Sequence, residues 1–157
     1  MYDVLKVVNW LRARNFADMR EDENVEELTQ MKTMKLLYYI QAASLVVTNH
    51  RFFDEDIVAW KYGPVVVKVH EIYYGQRGIV GDELDDKTRS DYKELQNNEQ
   101  SSDILNSIYD IYGHSSAYDL MRQTHSEKPW LETARNDVIK DDLIKEYFEK
   151  VFVVEED

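Results

Sequence analysis

His70 and Glu71 stand side by side, as at the opening of a zinc-protease helix, where two histidines four residues apart hold the metal and the glutamate acts as base. The second histidine would fall at Tyr74, and one imidazole with one carboxylate cannot fill a tetrahedral site. His50, His114 and His125 add no ligand spacing, so neither a metal nor another cofactor is expected. Thr124 and His125 bring a hydroxyl and an imidazole together, the two groups a hydrolase uses as nucleophile and base. Adjacent side chains on a helix diverge by about 100°, however, and no nucleophile elbow surrounds the pair. Gly75, Gly78 and Gly81 recur every third residue, but they follow a helical pattern rather than a strand, and no Lys-Ser/Thr pair opens a helix behind them. They read as a flexible loop, not a phosphate cradle. No catalytic set is assembled, so the chain is read as a non-enzyme; a hydrolase using His70/Glu71 or Thr124/His125 is an alternative.

Lys35 is the more unusual group. It lies inside a nearly all-apolar segment, where an ammonium must reach water along its stem or meet a carboxylate. Asp54, Glu55 and Asp56 are the carboxylates nearest in sequence, and an ion pair to one of them is expected to fix the following arm onto the Lys35 helix.

The elements that hold these residues follow from apolar spacing. Val4, Leu5, Val7, Val8 and Leu11 predict a first amphipathic helix ending near Phe16, followed by a charged, solvated connection over Asp18 to Glu27. Thr29 is the expected N-cap of a helix over Gln30 to Thr48, apolar nearly all round and so suited to the middle of a bundle, with Asn49 as its stop. A strand-like arm, Ile57 to Tyr62, then bends at Gly63-Pro64, with Pro64 expected to open a helix that ends at Gly75. Residues 76–100 are polar and glycine-dotted and predict a flexible loop, with at most one helical turn or a hairpin at Ile79 to Leu84. Further helices are expected from a Ser102 cap to Gly113, from Ser115 or Ser116 through Gln123, at a turn begun by Pro129, and over Asp137 to Phe148. Val151 to Val154 fits a helix end or a short edge strand. The fold class is mainly α: a single domain over 1–157 with about six helices and a short strand or hairpin before the Gly63-Pro64 turn.

A chain of 157 residues can bury roughly two thirds of its unfolded surface without staples, and it has no cysteine to form one. Its opening residues lack a basic start with an apolar run, and no apolar stretch approaches the roughly 20 residues a bilayer requires, so a cytoplasmic protein without membrane partners is expected. Net charge is -12 and polarised: residues 1–78 carry 10 Lys/Arg against 11 Asp/Glu, residues 79–157 carry 9 against 20. Such a surface repels phosphate backbones, so nucleic acid is an unfavoured partner, and it suits either a basic protein or simple solubility. Nineteen aromatics include Tyr38, Trp60 and Tyr112, assigned to the core, and Tyr62, Tyr73, Tyr74 and Trp130, left open between core and recognition surface.

A set of blocks then carries a resemblance: Leu28-Thr29, Met31-Lys32, Lys35 to Gln41, Phe53 to Ile57, Ala59-Trp60-Lys61-Tyr62-Gly63-Pro64-Val65-Val66, Thr124-His125 and Pro129-Trp130. In order and spacing, from about Val7 to Phe148, these resemble the Panacea domain family, which includes SocA-like antitoxins and phage-associated GepA-like proteins. The resemblance implies a mostly helical domain that neutralises a toxin encoded beside it, in the SocA-like case as an adaptor delivering the toxin to a protease. It also leaves a phage or prophage regulator, acting on nucleic acid or another host protein, as an alternative. The expected partner surface is Trp60, Lys61, Tyr62, Gly63 and Pro64, supported by Lys35, Tyr38, Gln41, His125 and Trp130. The chain departs from the family pattern at Thr33, Met34, Val67, Lys68 and His70, so the partner's identity does not carry over.

Overall fold

A computed structural model describes residues 1–152. They form α1 (Val4–Glu21), α2 (Gln30–Thr48), β1 (Val58–Trp60), β2 (Gly63–Val65), α3 (Val67–Ile72), α4 (Asp86–Asn97), α5 (Glu99–Tyr112), α6 (Ala117–His125), α7 (Lys128–Leu131) and α8 (Asp141–Val151). The mainly α class with one short hairpin is as expected, with eight helices among the described residues. Val153 and Val154, part of the stretch read as a helix end or edge strand, lie outside them.

α2 is the centre. Its expected cap is in place, Thr29 Oγ1 accepting from the Lys32 N–H at 3.2 Å, and Asn49 ends it in the left-handed region at φ 62°. Every residue from Thr33 to Leu45 is buried, because α1, α5, α6, α8 and β2 pack around it. A helix apolar on all sides has no face to offer water, and this one offers none along that stretch.

α1 runs past Phe16 to Glu21, since Asp18 has uses on the helix: it accepts from the Tyr109 hydroxyl at 2.7 Å and lies 3.7 Å from Arg14. Asn15, buried, then ties down the returning connection, donating to the Glu26 carbonyl and accepting from the Leu28 N–H.

The stretch 76–100 is not a loop throughout. It contains α4, capped by Asp85, whose Oδ1 accepts from the Thr88 N–H at 2.8 Å. α4 packs on α1 through a mixed seam: Trp10 stacks on Tyr92 and Leu95 is buried, but Asn9 donates to Asp91 and Arg12 to Thr88, so only Tyr92 and Leu95 give α4 an apolar signal. Ile79 to Leu84 forms neither a helical turn nor a hairpin; the Ile79 N–H donates to the Leu28 carbonyl instead. Gly75, Gly78 and Gly81 do not form a phosphate cradle, as expected, because Glu27 accepts from the N–H groups of Val80 and Gly81.

The Gly63-Pro64 step is the main revision. Pro64 does not open a helix; it sits in β2 opposite Ala59, within an antiparallel hairpin pairing Val58 with Val65 and Trp60 with Gly63, and the helix begins at Val67. Ala59 turns both its backbone groups outward, donating to Asp137 O at 2.9 Å and accepting from Asn136 N at 2.7 Å. Pro64, facing it, is therefore a non-hydrogen-bonded position whose missing N–H costs the ladder nothing.

Candidate functional site

The two-residue hairpin tip, Lys61-Tyr62, is set by Gly63, whose φ of +116° is closed to most side chains. Space requires glycine there as well: a Cβ would lie 2.9 Å from both Lys35 Cε and Thr124 Oγ1. α2 and α6 therefore clasp the hairpin from beneath, and only a bare backbone passes between them.

Lys35 is 1 % exposed. Its expected ion pair is absent: Asp56 is held by Arg51 at 2.9 Å and Glu55 faces Lys68, while the Lys35 ammonium donates to the Pro64 carbonyl at 3.3 Å. The hairpin has turned that carbonyl away from β1, toward α2, so the lysine supplies the donor that the ladder does not. Burial pushes the amine down to about 8.

Behind the hairpin, Trp130 on α7 donates its indole N–H to the Trp60 carbonyl at 2.8 Å. The ring lies between the His125 imidazole, stacked at 4.1 Å, and the Arg135 guanidinium at 3.7 Å. His125 Nε2 is buried and has no hydrogen-bond partner among the described residues; burial, then the Lys35 charge, holds the imidazole below its usual range. A neutral ring is what stacking beside two cations demands. The Thr124 hydroxyl donates to the Met121 carbonyl rather than meeting His125, and His70 Nδ1 faces Gln30 Oε1 at 2.9 Å with Glu71 exposed. Neither pair is brought together as acid and base. No cluster of three or more metal-ligating side chains occurs among the described residues.

Of the other residues singled out in the sequence, Tyr38 and Tyr112 are core, as expected, and Trp60 is half-buried with its edge on His70. Tyr62 and Tyr74 are exposed, whereas Tyr73 and Trp130 are half-buried. Gln41 lies away from the hairpin surface: its amide donates to the Phe53 carbonyl and accepts from the Phe52 and Phe53 N–H groups, pinning the start of the arm to α2.

Sequence reasoning missed Glu127. It is 2 % exposed, its two oxygens each 3.2 Å from the Tyr39 hydroxyl, and burial pushes its carboxyl up to about 7. The Tyr38 hydroxyl, whose pKa is raised by burial and then by the Glu127 charge, has no hydrogen-bond partner among the described residues. The available signal was position, two residues after His125 and just before Lys128-Pro129-Trp130.

Beside the hairpin opens a cleft of about 420 Å³, walled by Met31 and Met34 of α2, Trp60, Tyr62, His70 and Arg77. No helix among the described residues is long and apolar enough to cross a membrane.

No curated protein and no solved structure matches the chain. The family model described as Antitoxin SocA-like, Panacea domain, matches residues 33–131, a span that opens just before Lys35 and closes just after Trp130, taking in the hairpin, Thr124, His125 and Glu127. The chain belongs to the SocA-like antitoxin family of Panacea domain proteins.

Proposed function

We propose that the protein is an antitoxin-like binding module that neutralises a toxin, or restrains another protein, by direct contact through the hairpin tip, and that it performs no chemistry of its own. One observation carries this reading: Lys61 and Tyr62 project into solvent, Tyr62 at 54 % exposure, from a hairpin whose base is locked by buried contacts to Lys35, Thr124 and Trp130. A tip already held in one shape loses little conformational freedom on binding, and tyrosine supplies contact area at low entropic cost. Lys61 and Tyr62, with the half-buried Trp60, form the contact set in this reading; Gly63 and Pro64, expected in that set from the sequence, are buried and shape the turn, and Lys35, His125 and Trp130 hold it in place. Tyr38 and Gln41 act further back, through the core. Delivery of the partner to a protease would need a second surface and belongs to the same proposal as a variant of its outcome.

The test is co-expression of each adjacent open reading frame with and without the protein, scoring growth and the lifetime of the co-expressed product. Rescue of a toxic neighbour, lost in Lys61→Glu and Tyr62→Ala variants that unfold at the wild-type temperature, supports the reading. A shortened lifetime of the neighbour distinguishes adaptor from simple blocker. If no neighbour is toxic, or toxicity persists with the protein present, the proposal fails.

A further inference from the structure

The sign of the cleft beside the hairpin is opposite to that of the chain. The protein carries a net charge of -12, yet the cleft is lined by Lys35, His70 and Arg77 and by no aspartate or glutamate. The neighbouring groove that holds Asp18, Glu26 and Glu27 shares Arg77 with it, so Arg77 stands on the ridge between them. Glu27 is already committed to the Val80 and Gly81 N–H groups. The Arg77 guanidinium makes no hydrogen bond or ion pair among the described residues; its backbone carbonyl does the structural work, accepting from the Gln30 N–H at 2.8 Å. Lys61, at the tip beside Tyr62, likewise has no carboxylate partner among the described residues and lies 5.4 Å from the Tyr62 ring centre.

The walls are as informative as the charge. Met31 and Met34 are unbranched and can repack around an incoming group, while Trp60 and Tyr62 offer flat apolar faces. A volume of about 420 Å³ takes one or two large side chains. Addition of a partner strand is closed off. The outer edge of β1 is taken by Asn136 and Asp137, and on β2 Pro64 has no N–H and its carbonyl is occupied by Lys35. Whatever enters is held by side chains.

Resting on the binding-module reading above, we infer that this cleft receives a segment of the partner protein in which an acidic residue lies within two positions of a large apolar one, the apolar side chain entering between Met31, Met34 and Trp60 and the carboxylate meeting Arg77. Net charge suggests a basic partner; the local chemistry of this surface selects an acidic and apolar segment of it. Trp, Tyr and Arg, the residue types that dominate binding energy at interfaces, are the ones placed here.

The experiment pans the immobilised full chain against a phage-displayed library of randomised dodecapeptides, then titrates the most enriched sequence as a labelled synthetic peptide. Enrichment of Asp or Glu within two positions of Leu, Met, Phe or Trp is expected, with affinity falling about tenfold in Arg77→Glu and in Met31→Asp and weakening as salt rises. Both positions are exposed, so unfolding curves matching the wild type certify the variants. Enrichment of basic sequences, no enrichment over an uncoated surface, or affinity unchanged in both variants overturns the inference. The two readings separate in co-expression: rescue that survives Arg77→Glu but is lost in Lys61→Glu leaves the antitoxin reading standing and removes this one.

Discussion

The Lys35 ammonium donates to the Pro64 carbonyl across 3.3 Å of buried space, joining the central helix to the middle of the only hairpin among the described residues. The contact answers two needs at once. A proline in β2 presents an acceptor that β1 does not use, and a lysine in an all-apolar helix needs an acceptor that water cannot supply. One hydrogen bond serves only one of the three ammonium donors, so the charge remains expensive.

That expense has a pH signature. Burial holds the amine at about 8, against about 10.4 in an unfolded chain, a depressed value. Below pH 8 both states are protonated and folding bears the full cost of the buried charge. Between about 8 and 10.4 only the unfolded chain keeps the proton, so stability rises with pH across that window, by about 3 kcal/mol in all. Urea unfolding at steps from pH 7.5 to 9.0, where few tyrosines of the unfolded chain are ionised, is expected to show the start of the rise relative to Lys35→Met, which lacks it. A wild-type profile as flat as the variant's refutes the assignment.

Glu127 gives the mirror-image slope on the acid side. Its carboxyl is pushed up to about 7 from an ordinary 4.5, so the folded state holds the proton more tightly. The stabilisation is complete below pH 4.5 and is lost as pH rises through 7, about 3 kcal/mol in total. Glu127→Gln keeps an oxygen for the Tyr39 hydroxyl and cannot ionise, so it is expected to remove the slope and to be the more stable protein at pH 7.5. Together these two groups subtract most from stability between about pH 7 and 8, where both are charged, so the gain of the double variant over the wild type is expected to peak there; chemical unfolding of Lys35→Met, Glu127→Gln and the double variant at five pH values checks this.

How much of this was legible beforehand differs by element. α2 was readable with its cap and stop, because Thr29 and Asn49 are local signals and thirteen consecutive buried residues leave no polar face to confuse the period. α4 was not, since two of its buried positions, Thr88 and Asp91, are polar, and apolar periodicity sees only Tyr92 and Leu95 in a twelve-residue helix. Gly63-Pro64 was recognised as a chemically specified step but assigned the wrong consequence. Proline at a helix start and proline at an outward-facing strand position satisfy the same local rule, and only the tertiary partner of Ala59, supplied by residues 136 and 137, decides between them. The partner of Lys35 was sought among carboxylates for the same reason: sequence proximity ranks Asp54 to Asp56 first, whereas Arg51 and Lys68 reach Asp56 and Glu55.

Gly63→Ala is expected to be severe. The substitution places a Cβ 2.9 Å from Lys35 Cε and Thr124 Oγ1 and forces an L side chain to φ +116°, so both sterics and backbone strain oppose it. A loss of about 2–4 kcal/mol in equilibrium unfolding is expected. Gly75→Ala serves as control, since a Cβ there meets nothing within 4 Å although its φ is also positive, and a loss of only about 1 kcal/mol is expected. Equal losses at the two positions would show that space beneath the hairpin is not what excludes a side chain.

Trp130→Phe tests the lock on the hairpin without emptying its slot. Phenylalanine retains a ring to stack between His125 and Arg135 but has no donor for the Trp60 carbonyl, which accepts from the indole at 2.8 Å. The direct cost is about 0.5–1.5 kcal/mol, since the half-buried carbonyl loses its indole donor and keeps only its ladder partner, Gly63. The larger effect is local. Trp60 pairs with Gly63 at the last rung before the tip, so releasing its carbonyl frees Lys61 and Tyr62 first. Amide exchange at Lys61, Tyr62 and Gly63 should then accelerate by about tenfold or more while exchange in the middle of α2 changes only as far as global stability does. Uniform acceleration across hairpin and α2 would mean that Trp130 supports the whole fold and has no particular hold on the tip. In that event a loss of partner binding in the variant would report unfolding, and Lys61→Glu and Tyr62→Ala, which leave the lock intact, would be the substitutions able to locate the contact surface.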